Sequence, residues 1–207
     1  KDVVTRYSDG KTNIVFVGRI VPNKKFEDVI ACFAAYKEKY DPTARLFLVG
    51  NYQETDTYYQ YLQEYIKKCG VKDVIFPGHI AFNAILAYYK IADLFLCMSE
   101  HEGFCVPLVE AMFFETPIVA YASTAIPGTL GGSGVLVETK EPEMVAEAMN
   151  HVMQDAEYRS EILKKQNERL KDFAYESIRG QILDEIEKVQ QSKIDKVRNQ
   201  NGEEKTD

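Results

Sequence analysis

Short, unbroken apolar runs alternate along the chain with longer stretches whose apolar positions recur every three or four residues. Six runs stand out: Asn13 to Gly18, Arg45 to Gly50, Asp73 to Gly78, Asp93 to Met98, Pro117 to Tyr121 and Gly134 to Val137. They are continuous rather than alternating, as in strands of a parallel sheet covered on both faces. Helical spacing runs over Phe26 to Tyr40, Thr57 to Cys69, Phe82 to Ile91, Pro107 to Glu115 and Glu141 to Gln154. In the first of these, Val29, Cys32, Phe33 and Tyr36 form an apolar stripe. Strands joined by helical crossovers predict an α/β fold, a doubly wound, Rossmann-like parallel sheet of about six strands. After residue 156 the strand pattern stops, and two C-terminal helices are expected, Glu157 to Lys171 and Tyr175 to Gln190, joined at Asp172-Phe173-Ala174. In the second, Tyr175, Ile178, Ile182, Ile186 and Val189 make an apolar stripe. The chain thus reads as one domain over 1–190 and a polar, disordered tail over 191–207.

Composition narrows the partners. With 207 residues, 45% of them hydrophobic, the chain can bury one sizeable core. A net charge of −7 argues against nucleic acid as the main partner, which would favour a basic face. Cys32, Cys69, Cys97 and Cys105 are widely spaced, with no Cys-x-x-Cys and no Cys/His cluster, so no structural zinc is expected and the thiols are read as reduced. No apolar run is long enough to span a bilayer and no signal peptide is visible. The expected location is the cytoplasm or the inner face of the membrane. The chain opens at Lys1 without a Met and is read as part of something longer.

The chemistry concentrates after the fourth run, in Ser99-Glu100-His101-Glu102-Gly103-Phe104-Cys105-Val106-Pro107-Leu108-Val109-Glu110. Glu102 falls in a loop and Glu110 in the first turn of the next helix, which Pro107 can start. A helix start offers free N–H groups to an anion, and a carboxylate can hold a diol. A nucleotide sugar has both a diphosphate and a ribose diol. If the strand order is 3-2-1-4-5-6, strands one and four meet at the switch point, and a ligand lies beyond their carboxyl ends. Gly18-Arg19-Ile20-Val21-Pro22-Asn23-Lys24-Lys25 follows strand one there, and Ser123 to Pro127 closes the far side.

The Gly-Arg-Ile-x-x-x-Lys and Glu-Gly-Phe-x-x-Pro-x-x-Glu patterns, at residues 18–24 and 102–110, together resemble the retaining GT-B glycosyltransferases of the GT4 class, in their nucleotide-sugar-binding C-terminal domain. The resemblance covers about residues 11 to 190. It implies catalytic roles for Arg19 and Lys24 on the leaving diphosphate, beside Gly18 and the amides of Leu108 and Val109. Glu102, with Gly103, Phe104 and Cys105, would meet the donor sugar, and Glu110 the ribose. The base would lie near His79 and Ile80. It further implies no metal and no cofactor beyond the donor substrate. The partners would be an N-terminal GT-B domain of the same full-length protein and a glycan or lipid-linked acceptor, with no nucleic acid. The final helix would cross to that other domain, so this chain alone would not transfer sugar. Three departures stand out: Lys25 and Cys105 occupy places where relatives favour Gly, and Gly128 follows Pro127 where many have Glu.

Blander readings stay open at this point. Taken alone, Glu102 and Glu110 are also what a solvated loop and a first helical turn carry. A glycosidase acid/base pair has no need of a phosphate cradle in the strand-one loop. A Rossmann oxidoreductase lacks its Gly-x-Gly-x-x-Gly here. A module that binds a nucleotide or nucleotide sugar without transferring anything is the remaining alternative.

Overall fold

A computed structural model describes residues 2–180. Six strands, β1 (Asn13–Val17), β2 (Arg45–Val49), β3 (Val74–Ile75), β4 (Leu94–Cys97), β5 (Ile118–Tyr121) and β6 (Val135–Val137), form one sheet in the order β3-β2-β1-β4-β5-β6. All pairings are parallel, with Asn13 opposite Arg45, Ile14 opposite Leu94 and Phe95 opposite Ile118. The expected fold class and strand order therefore hold. The two strands flanking the switch point, β1 and β4, are buried along their whole length, which is why their sequences read as continuous apolar runs. The edge strands β3 and β6 are only half-buried. The third run is cut to two residues because Pro77 lacks the N–H a longer ladder would need.

The helices are α1 (Val3–Tyr7), α2 (Phe26–Lys39), α3 (Thr57–Cys69), α4 (Phe82–Ile91), α5 (Val106–Phe113), α6 (Ile126–Leu130), α7 (Pro142–Gln154) and α8 (Ala156–Leu170). Right-handed crossovers put α2 and α3 on one face of the sheet and α4 and α5 on the other. α7 returns to pack on α2, and α1 packs on α4. The stripe expected on α2 is buried, together with Phe26 and Ile30. The short α1 and α6 were not anticipated: five residues carry too little period to show in sequence. At the amino ends of β1 and β2, buried Arg45 donates to Asn13 Oδ1 (3.0 Å) and to Asp9 (2.6 Å).

The chain divides into two compact units, one ending at Arg169 and one beginning at Leu170. In the second, residues 175–180 are helical and Tyr175 and Ile178 are exposed. Ile182, Ile186, Val189 and the tail at 191–207 lie outside the described residues. Among the described residues no helix is long and apolar enough to cross a membrane.

Candidate functional site

Because all six strands are parallel, the loops after β1, β2, β3, β4 and β5 gather along one edge of the sheet. The closest approach in that edge is of backbone to backbone. A Cβ on Gly50 would stand 1.8 Å from the Gly18 carbonyl oxygen, so only glycine fits there. Gly18 N in turn donates to Val49 O at 2.9 Å. This close seat fixes where the strand-one loop leaves the sheet.

Past Gly18 the chain makes a tight 3-10 turn at Pro22–Lys24 and then a left-handed residue, Lys25, with φ 52°. That turn is tied to the loop after β4. Glu100 N donates to Asn23 O at 3.0 Å, and Asn23 Nδ2 donates to His101 O at 3.1 Å. The same junction joins Lys24 to Glu102: Nζ lies 2.6 Å from Oε1 and 2.5 Å from Oε2. Glu102 is buried, its side chain only 5% exposed, against 18% for Lys24. Thr124 holds the Glu102 backbone from the other side, its Oγ1 accepting from Glu102 N (2.9 Å) and donating to Glu102 O (3.0 Å). Ser123 Oγ donates to Ser99 O at 2.5 Å. The loop after β5 therefore clamps the loop after β4.

Further charges ring this junction. Lys140 pairs with Asp28 (2.7 Å) and Glu100 (3.1 Å), and its hydrogen bond holds the Glu100 carboxyl below its ordinary value. Lys25 stands 3.4 Å from Glu100. Arg19 is exposed, and its carbonyl accepts from Val21 N at 2.9 Å. Lys24 is thus committed to a carboxylate, while the Arg19 guanidinium makes no ion pair among the described residues.

The helix start lies beside these loops. Cys105, at φ 67°, turns the chain into α5, and Leu108 N donates to Cys105 O at 3.0 Å. Leu108 is buried, Val109 is half-buried, and Gly103 and Phe104 are exposed. Glu110, half-buried, takes a hydrogen bond at 2.7 Å on Oε2 from Tyr89 of α4. Burial and that bond to a carboxylate push the Tyr89 phenol far up, so it remains a donor. The proximity of Cys97, at the end of β4, together with burial, pushes the Cys105 thiol up. Cys97, Cys105 and Glu102 each place one ligand atom within 4.8 Å of the others, all buried. No such grouping was expected from the separated cysteines. It arises because the β4-to-α5 loop folds back on itself.

Past β3, His79 Nδ1 lies 3.0 Å from Asn51 Oδ1, and Ile80 is half-buried. Tyr52 stacks on Tyr59 with centroids 4.0 Å apart, and Phe76 meets both edge-on. The aromatic residues of α3 are therefore used mainly in packing. Tyr58 accepts from Phe26 N and donates to Glu27, anchoring the start of α2.

The structure thus joins Lys24 to Glu102 and places Cys105 and Leu108 at the start of α5; Glu110, expected in the first turn, falls in the second because the helix already begins at Val106. His79 and Ile80 sit on the neighbouring loop after β3, and Arg19 is exposed, with no ion pair among the described residues. It adds Tyr89 and Gly50, which no sequence signal marked as belonging here, and gives Asn23 and Thr124, within the expected loops, specific partners. Tyr89 lies 21 residues from the carboxylate it holds.

The model of the family described as Glycosyl transferases group 1 matches residues 3–169. Mannosylfructose-phosphate synthase from Agrobacterium fabrum is 34% identical over 116 residues, 54% of this chain and 25% of that protein. The C-terminal domain of a group 1 glycosyl transferase family protein (LpcC) from Francisella tularensis superposes with a TM-score of 0.69 at 26% identity. It covers 83% of this chain and 92% of that domain. Anabaena Alr3699/HepE, solved in complex with UDP and glucose, gives a TM-score of 0.76 at 22% identity, over 90% of this chain and 52% of that one, a likeness of fold. The chain spans less than half the length of the curated relatives compared.

Proposed function

Because the chain belongs to the group 1 glycosyl transferases, we propose that it binds a nucleoside diphosphate sugar as the donor-side part of a retaining GT4-class hexosyltransferase. The observation that supports this reading is the Lys24–Glu102 pair joining the loops beyond the carboxyl ends of β1 and β4, with Glu110 in the helix that follows. Lys24 already spends two contacts on Glu102, and its ammonium has a third N–H for a phosphate oxygen. Arg19, exposed on the strand-one loop, adds a planar charge that closes on the diphosphate. The start of α5 adds oriented amides and its dipole.

Glu110 accepts the ribose hydroxyls on the oxygen that Tyr89 leaves open, while Tyr89 keeps the carboxylate from rotating. Glu102 meets the donor sugar, with Gly103, Phe104 and Cys105 alongside. His79 and Ile80 lie near the base. As the sugar–phosphate bond breaks, negative charge grows on the diphosphate, and Arg19 and Lys24 stabilise it in place before the reaction begins. The acceptor attacks from the face the diphosphate leaves, so the anomeric configuration is retained. These cations and dipoles supply the charge stabilisation, and no divalent metal is assigned a step.

The acceptor site, for a glycan or a lipid-linked group, is assigned to an N-terminal GT-B domain of a longer chain. The test is calorimetry with UDP, GDP and ADP and their sugars, followed by transfer assays. Submicromolar to micromolar binding of one nucleotide sugar, unaffected by a chelator, with no transfer by these 207 residues alone, is expected. No binding to any of them overturns the reading. Robust transfer by the chain alone overturns its division between two domains.

A further inference from the structure

The donor reading gives the sulfurs of Cys97 and Cys105 no chemical role, and a Glu102 oxygen lies within 4.8 Å of both. The geometry points to a site for a thiophilic divalent cation, of the zinc and cadmium class, formed by Cys97 Sγ, Cys105 Sγ and a Glu102 carboxylate oxygen, and filled in competition with the donor sugar. The competition, unlike the ion binding, rests on the proposed role of Glu102.

The distances allow it. All three ligand atoms lie within 4.8 Å of one another. A tetrahedral ion with bonds of roughly 2.3 Å to sulfur needs sulfurs roughly 3.8 Å apart, so the site must tighten by about 1 Å or less. Each ligand sits on a fixed anchor. Cys97 ends a fully buried strand, Cys105 is the left-handed residue that caps α5, and Thr124 grips the Glu102 backbone on both sides. Ser99 Oγ, 3.5 Å from Cys97 Sγ, is placed to complete the shell with oxygen. Two thiolates and a carboxylate are a soft set that prefers such ions to magnesium or calcium.

The charges also balance. A divalent ion entering displaces one proton from each thiol to solvent, leaving two thiolates and one carboxylate around it. That cluster carries one net negative charge, and the Lys24 ammonium beside Glu102 neutralises it. Glu102 has two oxygens, so one ligates while the other keeps Lys24, which orients the ligand from behind. With the ion in place, one Glu102 oxygen is taken up by the metal and the carboxylate is held toward the thiols, which sets ion and sugar in competition for it.

The experiment uses the 207-residue chain, reduced with a phosphine and kept anaerobic, in a Cys69→Ser background that removes the exposed thiol. Cadmium is titrated while the ultraviolet thiolate-to-cadmium band and heat are recorded. One ion per chain, with the band and release of protons, is expected. Cys97→Ala and Cys105→Ser should each abolish the band, and Glu102→Gln should weaken binding at least tenfold. Circular dichroism melts confirm that each variant is folded, and the two cysteine variants serve as checks on each other. No band in the Cys69→Ser chain, or equal cadmium affinity when either thiol is gone, overturns the site. A nucleotide sugar that binds the cadmium-loaded and metal-free chains equally overturns the competition. If the metal-free chain binds no nucleotide sugar, the donor reading fails and the cadmium result stands.

Discussion

Lys24 Nζ lies 2.6 Å and 2.5 Å from the two carboxylate oxygens of Glu102, and this pair joins the loop after β1 to the loop after β4. It bridges 78 residues of sequence at the sheet's switch point. The carboxylate is the more buried partner, so the two halves of the pair are not equivalent.

Removing the cation should therefore hurt more than removing both charges. Breaking a fully buried pair costs roughly 3–5 kcal/mol, because it strands a charge. Lys24 retains some exposure, so Lys24→Met should cost about 2 kcal/mol. The double variant Lys24→Met/Glu102→Gln should recover about half of that, since a neutral amide is easier to bury. Urea denaturation of both variants and of Glu102→Gln checks it. A double variant no more stable than Lys24→Met would contradict the pair's asymmetry.

The Tyr89–Glu110 bond separates binding from folding. Tyr89→Phe keeps the ring, which stacks on Phe114 with centroids 5.5 Å apart, and removes only the donor to Glu110. Nucleoside diphosphate affinity should fall about three- to tenfold, near 1 kcal/mol. Glu110→Ala and Arg19→Ala should each cost roughly 1.5–3 kcal/mol of binding, because both lose charge-assisted bonds. Calorimetry with UDP, GDP and ADP, alongside thermal melts, measures both. Unchanged affinity in Glu110→Ala would remove that residue from the site.

Lys25 and Cys105 have left-handed backbones, with φ of 52° and 67°. Glycine adopts that conformation freely, and other residues pay about 1–2 kcal/mol. Lys25→Gly should match wild-type stability within about 0.5 kcal/mol, since the ion pairs lost are long and partly exposed. Lys25→Val should lose about 1–2 kcal/mol, because branching at Cβ crowds this backbone further. Equal stability of the two variants by chemical denaturation would argue against the left-handed turn.

Asp93 sets a pH dependence at the other end of β4. Burial raises its carboxyl above the ordinary value of 3.8, against an opposing bond from Asn13 N. A carboxyl whose folded value is raised holds its proton more tightly in the native state. Its contribution is complete at acid pH and is lost as pH rises through the raised value. Asp93→Asn keeps an acceptor for Asn13 and removes the titration. The variant's stability relative to wild type should therefore increase from acid to neutral pH, as followed by denaturation at several pH values. A difference that stays constant would show that Asp93 does not titrate differently on folding.

Much of the site was legible because its residues lie in two short segments. Gly18 to Lys24 and Glu102 to Glu110 each carry their spacing in consecutive sequence, and strand order alone brings such segments together. Tyr89 and Gly50 were not legible, and of Thr124 only its place in a crevice loop was. Tyr89 reads as one apolar position on an amphipathic helix, Thr124 as a loop residue and Gly50 as a strand terminus. Their roles exist only in contacts with Glu110, Glu102 and Gly18. The cysteines mislead for the same reason: spacing along the chain says nothing of a loop that folds back to set Cys97 beside Cys105.

Local pattern was sufficient for the alternation of strands and helices, the buried switch-point strands and the acidic and basic segments of the crevice. Burial of an apolar run or stripe is a property of neighbours in sequence, and period alone reports it. Packing set what period cannot carry. It trimmed β3 at Pro77, placed glycine at the Gly18–Gly50 approach and committed Lys24 to Glu102 while leaving Arg19 exposed. Those outcomes depend on distances between segments tens of residues apart, which the chain acquires only when the sheet has formed.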